Sequence, residues 1–113
     1  MNRDLIRIKH MIDASEEILF FINGRNRLDL DKNRMLSLSV VHLLELMGEA
    51  ASKLSPEFRE KYYQIPWKSV IQMRNRLIHG YFDIDLDIVW TTIKDDVPFL
   101  LKKLREIESI ENS

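Results

Sequence analysis

Cysteine is absent from this chain, and glycine and proline are scarce, at three each in 113 residues. Without cysteine there is no disulfide framework, no thiolate nucleophile and no thiolate metal site, a composition that fits a reducing compartment and points to the cytoplasm. The few Gly and Pro fall where helical hydrophobic patterns break, so the chain reads as helices, and strand-like alternation is confined to residues 83–87. No uninterrupted apolar run is long enough to span a bilayer, and the first residues, MNRDLIRIKH, lack the apolar core of a signal peptide. A soluble protein with no membrane contact is expected. Nor does one charge dominate: seventeen Lys and Arg stand against eighteen Asp and Glu, a net charge of -1, which argues against a broad cationic face for non-specific nucleic-acid binding. Any such contact must come from a local cluster or from two chains combined. A glycine-rich phosphate loop is also missing, which argues against an autonomous nucleotidyl- or phosphoryl-transferase.

What is present is apolar residues at helical spacing. The length predicts one domain over residues 1–113, burying roughly two thirds of the surface of the unfolded chain. A first helix is predicted from Asn2 to Asn23, with Leu5, Ile8, Ile12, Ser15, Leu19 and Ile22 as its buried stripe, Met11, Ile18 and Phe21 widening it, and Gly24 ending it. Arg25 to Leu30 reads as a polar connection, after which Asp29 or Asp31 caps a second helix reaching Leu54. That helix is apolar nearly all round at Leu38, Val41, Leu44 and Leu46, so it is expected to be both central and part of a subunit interface. Gly48, Ala50, Ala51 and Ser52 would let another helix approach closely. Glu45 and Glu49 either need a cationic partner there or lie on an exposed edge. Ser55 and Pro56 start a short helix to Tyr62, Trp67 begins a fourth that Gly80 ends, and Asp85 or Asp87 caps a last one that Pro98 kinks or divides near Asp96. The tail from Glu108 to Ser113 is expected to fray. The fold class is all-α, an up-and-down bundle of four long helices plus a short one.

The chemistry gathers in Met73 to Tyr81, MRNRLIHGY. Arg74 and His79 are five residues apart and point about 140° from each other on a straight helix. They converge only if the helix ends near Ile78 or if two copies bring their helix ends together. Arg76 and His79 would be neighbours on a regular turn, where a basic pair also simply complements a helix C-terminus. As a site, the group suits RNA cleavage by internal transfer. Histidine can take a proton from a ribose hydroxyl or give one to the leaving oxygen, and arginine presents a planar fork to phosphate oxygens. No metal or cofactor is required for that chemistry. Asp83, Asp85 and Asp87 could form a cation site or serve as helix caps, whereas His10 and His42 stand alone on helices.

The spacing of Arg74, His79 and Tyr81 resembles the R-x4-H-x-Y motif of the HEPN superfamily, specifically the HepT-like toxins encoded beside a minimal nucleotidyltransferase antitoxin. The similarity extends through LLELMGEAASKLS, IPWKSVIQMRNRLIHGYFDID and DIVWTTIKDDVPFLLKKL. It implies a HEPN-like homodimer whose two motifs line a shared cleft, with Arg74 stabilising phosphate charge, His79 as general acid or base, and RNA, including tRNA, as substrate. Asn75 and Arg76 would be auxiliary or RNA-binding residues. The resemblance further implies a toxin–antitoxin module in which the nucleotidyltransferase transfers AMP from ATP to Tyr81. Two other readings stay open: a non-catalytic subunit that positions a nucleotidyltransferase on its substrate, and a structural dimer whose Arg and His only cap helices.

Overall fold

The N-terminal stripe folds as its spacing predicts. In the computed structural model, which describes residues 3–79 and 83–113, α1 (Arg3–Ile22) buries Ile8, Met11, Ile12, Ser15, Ile18 and Ile22. Gly24 follows at φ +74, the left-handed conformation that favours glycine after a helix. The Ser15 hydroxyl is fully buried and donates to the Met11 carbonyl at 2.8 Å, so it carries no unmet hydrogen bond into the core. Phe21 is not part of the stripe; it is exposed, as is Phe20 beside it.

Residues expected to form a polar connection instead build a short helix, α2 (Arg27–Lys32). Asn26 and Asp29 explain it: the Asn26 side chain accepts from the Asp29 N–H while the Asp29 carboxylate accepts from the Asn26 N–H at 2.7 Å, a capping box. Leu30 supplies its buried anchor. Asn33, rather than Asp29 or Asp31, then starts the long helix α3 (Arg34–Ser52), its side chain accepting from the Leu36 N–H at 3.0 Å. Length and composition alone would let α3 cross a membrane, but here it packs against α1 and buries Leu36, Val40, Leu44 and Met47. At the small residue Gly48 the backbone carbonyls of Val70 and Ile71 approach α3 closely. Ser55 and Pro56 open α4 (Pro56–Lys61) as the sequence indicates, the Ser55 hydroxyl accepting from the Phe58 N–H.

The predicted fourth long helix is broken in two places. It runs as α5 (Trp67–Ile71), interrupted at Gln72, then as α6 (Met73–Leu77), and the chain turns extended at Ile78. Ile78 and His79 form a two-residue strand, β1, paired antiparallel with β2 (Asp83–Ile84) so that Ile78 faces Ile84 and His79 faces Asp83. The Leu77 carbonyl, left without a helical partner, accepts from the Asp85 N–H at 2.8 Å, which closes the helix end without the glycine. Gly80, the expected breaker, lies outside the described residues, and the helix stops before it.

Asp85 caps α7 (Leu86–Thr91), and a π-turn over Thr92–Asp96 joins it to α8 (Val97–Glu111). Pro98 is the cause. Having no N–H, it cannot continue the ladder, and the Val97 N–H reaches back to the Thr92 carbonyl, one residue further than in an α-helix. The predicted division near Asp96 is therefore present as a π-turn. Val89, Ile93, Val97, Leu100, Leu104 and Ile107 remain buried through it. The C-terminus is also more ordered than expected, because the Glu111 carboxylate accepts from Lys61 Nζ at 2.9 Å and from the Tyr62 hydroxyl. Desolvation, reinforced by Glu111, pushes the Tyr62 hydroxyl above its ordinary pKa. α1 packs on α3 and α8, while α5 and α6 lie on α3, giving a helical bundle with a small two-stranded sheet at the end of α6.

Candidate functional site

α6 is short, but it is anchored. Met73 and Leu77, one turn apart, are 3% and 0% exposed, and their burial turns Arg74, Asn75 and Arg76 outward. Arg74 donates from Nε to Glu45 on α3 at 3.1 Å while its side chain stays 65% exposed, so the guanidinium remains open to an incoming anion. Of the two acids in the apolar helix, Glu45 thus has the cationic partner, and Glu49 is the exposed one, 3.6 Å from Lys53. Arg76 points the other way, donating from Nη1 to Ser69 Oγ at 3.2 Å, with Nη2 3.9 Å from Asp96.

His79 does not continue the helix. The strand turns its ring toward α7, where Nε2 lies 3.3 Å from Asp85 Oδ2. The other oxygen of Asp85 accepts from the Ile88 N–H at 3.1 Å. That backbone donor, with His79 adding to it against partial desolvation, holds the Asp85 carboxyl below its ordinary 3.8. Asp87 lies on the same rim and is fixed by Arg27 of α2, whose Nε donates to it at 2.9 Å while Nη1 holds Asp31.

The two motif residues end in different grooves. Arg74 and Asn75 line one with His42, Glu45, Glu49 and Ile71; His79 and Arg76 line another with Asp87, Ile88 and Thr92. Ending the helix at Ile78 therefore does not bring Arg74 and His79 into one groove of a single chain. Met35, Leu38 and Leu46 recur at helical spacing on α3 and are exposed, and Leu46 itself lines the Arg74 groove. His42 is exposed beside them, and His10 is exposed on α1. Asp85 and Asp87 are engaged in a cap and an ion pair, and among the described residues no three His, Asp or Glu side chains are grouped to hold a metal ion. Tyr81, the expected acceptor of a modification, lies outside the described residues.

Three contacts of this site were not read from the sequence: Glu45 with Arg74, Ser69 with Arg76, and Asp85 with His79. For Glu45 a signal existed, since a carboxylate among apolar positions needs a cation. Asp85 was legible only as a helix cap, because its second contact depends on the strand that displaces His79.

A helical bundle that exposes an arginine and a histidine five residues apart at the end of an anchored helix has the layout of a HEPN protein. The family model described as "Ribonuclease HepT-like" matches residues 11–107, and the chain belongs to this HepT-like family. Among its relatives, the protein named "Putative RNase" from Caldanaerobacter subterraneus subsp. tengcongensis is 37% identical over 100 residues, covering 88% of this chain and 89% of that one. One of the same description from Methanocaldococcus jannaschii is 33% identical over 94 residues, covering 83% and 86%. The "Probable ribonuclease HepT" of Thermococcus cleftensis is 36% identical over 69 residues, 61% of this chain and 63% of that one. No solved structure matches the chain at a significant level.

Proposed function

We propose that this protein is a ribonuclease of the HepT type, a metal-independent endoribonuclease that acts as the toxin of a toxin–antitoxin module in the cytoplasm. The observation that carries this reading is the exposure of both Arg74 and His79 on a segment whose neighbours Met73 and Leu77 are buried: the backbone is fixed and the functional groups, though each faces a carboxylate, stand open to solvent. Cleavage is an internal transfer. The ribose 2′-oxygen attacks the adjacent phosphorus and the bond to the 5′-oxygen breaks, leaving a 2′,3′-cyclic phosphate and a 5′-hydroxyl. One proton leaves the 2′-hydroxyl and one reaches the departing oxygen. His79 carries one of these transfers, and Arg74 meets the charge that grows on the phosphate oxygens.

Since one chain holds these two residues in separate grooves, the reading includes a homodimer in which Arg74 of one protomer serves with His79 of the other. The exposed apolar stripe of Met35, Leu38 and Leu46 beside the Arg74 groove supports α3 as the joining face. Asn75 and Arg76 bind flanking phosphates or bases of the RNA, for which tRNA is a candidate. Tyr81, two residues beyond His79 in the chain, is the acceptor through which a minimal nucleotidyltransferase transfers AMP from ATP, and an added phosphate there would repel RNA.

RNA cleavage in the presence of a chelator tests the reading, comparing the native protein, His79→Ala, and protein first incubated with ATP and the nucleotidyltransferase encoded beside it. Cleavage by the first sample alone is the expected result. No cleavage of a total tRNA pool by any of them would favour the non-catalytic subunit instead. A monomer in sedimentation at micromolar concentration would remove the shared cleft.

A further inference from the structure

We infer that Asp85 is a positioning residue for His79, fixing the imidazole with its hydrogen on Nε2 and leaving Nδ1 as the nitrogen that exchanges a proton with RNA. The inference rests on the ribonuclease reading for its consequence, but its geometry does not. Asp85 is itself held from three sides. Its N–H donates to the Leu77 carbonyl at 2.8 Å, one carboxylate oxygen accepts from the Ile88 N–H at 3.1 Å, and the other lies 3.3 Å from His79 Nε2. The first contact ties Asp85 to the end of α6, two residues before His79, so that acid and imidazole are fixed to the same piece of backbone.

An ionised carboxylate only accepts hydrogen bonds. The Ile88 N–H, aided by His79, keeps Asp85 ionised to lower pH than a free aspartate. The nitrogen facing it must therefore be the one bearing hydrogen, and the lone pair of the neutral ring is left on Nδ1. Of the other charged groups around the ring, Arg76 only donates, Asp87 is held by Arg27, and Asp83, the cross-strand neighbour of His79, makes no ion pair with it among the described residues, where the ring's carboxylate contact is with Asp85. The 3.3 Å separation is long for a hydrogen bond, and the ring is 54% exposed, so the imidazole stays accessible to an incoming RNA.

Asp85→Asn separates this role from capping. Asparagine is as good an N-cap as aspartate and preserves the bond from Ile88, but its amide can also turn an N–H toward the imidazole and admit the opposite tautomer. Nitrogen-15 NMR of the His79 ring reads the tautomer directly, without any activity. In the native protein the Nε2–H form is expected to dominate, and in the variant the Nδ1–H form is expected to grow while the melting temperature is kept. RNA cleavage should then fall by roughly 10-fold or more. That loss should disappear when the substitution is made on His79→Ala. Should the asparagine variant not fold, Asp85→Ser caps equally and is too short to reach the ring, so the same nitrogen signals decide. Unchanged tautomers would overturn the inference, even if cleavage fell. A tautomer shift in a protein that never cleaves RNA would support the positioning and sink the ribonuclease reading.

Discussion

Gly48 sets how closely the motif-bearing segment can approach α3, and replacing it with alanine tests that geometry. A Cβ at this position would stand 2.9 Å from the Val70 carbonyl oxygen and 3.3 Å from that of Ile71, against an ordinary contact beginning near 3.4 Å. Both obstacles are backbone, so relief requires α5 to move by roughly half an ångström rather than a side chain to swing aside. Overpacking costs about 1–3 kcal/mol, and a 2.9 Å approach to backbone that no rotamer change relieves belongs in the upper part of that range, about 2–3 kcal/mol. Opposing it, alanine in a helix interior is favoured over glycine by about 1 kcal/mol. The expected net is a loss of about 1–2 kcal/mol, or a melting temperature lower by roughly 4–10 °C for a domain of this size. Far-UV circular dichroism at one protein concentration measures it, the concentration being fixed because association would move the midpoint. Since α6 follows α5 after a single residue, the displacement should also shift Arg74 against Glu45 and reduce cleavage. An unchanged or higher melting temperature would refute the reasoning, because it would mean that α5 yields freely and that helix propensity alone decides.

Other substitutions probe the parts that hold the site. Leu77→Ala, at a fully buried position next to the strand, is expected to cost about 2–5 kcal/mol in urea unfolding; a loss below 1 kcal/mol would show that the end of α6 is not anchored by that side chain. Asn33→Ala removes the cap of α3 and should cost about 1 kcal/mol by the same measurement. Asp85 gives a pH dependence with a definite sign. Because its folded pKa lies below its ordinary value, the stability it contributes is present above the unfolded pKa of about 3.9 and is lost as pH falls through the folded value. The gap in melting temperature between the native protein and Asp85→Ala, which has no capping side chain, should therefore narrow as pH drops from about 5 to 3. A constant gap would count against an ionised cap. Arg27→Ala frees Asp87 at the rim of the His79 groove, and weaker RNA binding with a melting temperature within a few degrees is expected, the pair being exposed.

Hydrophobic spacing located the helices because burial follows the helical period, and Ile8, Ile12 and Ile22 all lie where the first stripe puts them. Boundaries set by local polar chemistry were harder to read. Asn26 and Asp29 form a capping box inside what looked like a loop, and Asn33 interrupts what looked like one helix. The greatest departure is at the motif. The residues from Trp67 onward have a helical pattern, yet the Leu77 carbonyl finds a partner eight residues away at Asp85, and β pairing takes over at Ile78. Such long-range competition leaves no mark on the local pattern. Arg74 and His79 were singled out because their spacing with Tyr81 resembles the R-x4-H-x-Y motif, whereas the contacts that direct them, with Glu45 and Asp85, needed the folded chain.

The π-turn at Thr92–Asp96 works as a phase adjuster between two parts of the molecule. Each residue added to or removed from a helix rotates everything beyond it by about 100°. α8 is locked to the core through Leu100, Leu104 and Ile107, so the rotation falls on α7 and on Asp85 and Asp87, which flank its start. With its present length the turn aims Asp85 at His79 and Asp87 at Arg27. Taking one residue out would regularise the helix and at the same time swing both carboxylates off their targets. The irregularity forced by Pro98 is thus what lets a core fixed by hydrophobic spacing and a site fixed by polar contacts share one continuous helical segment.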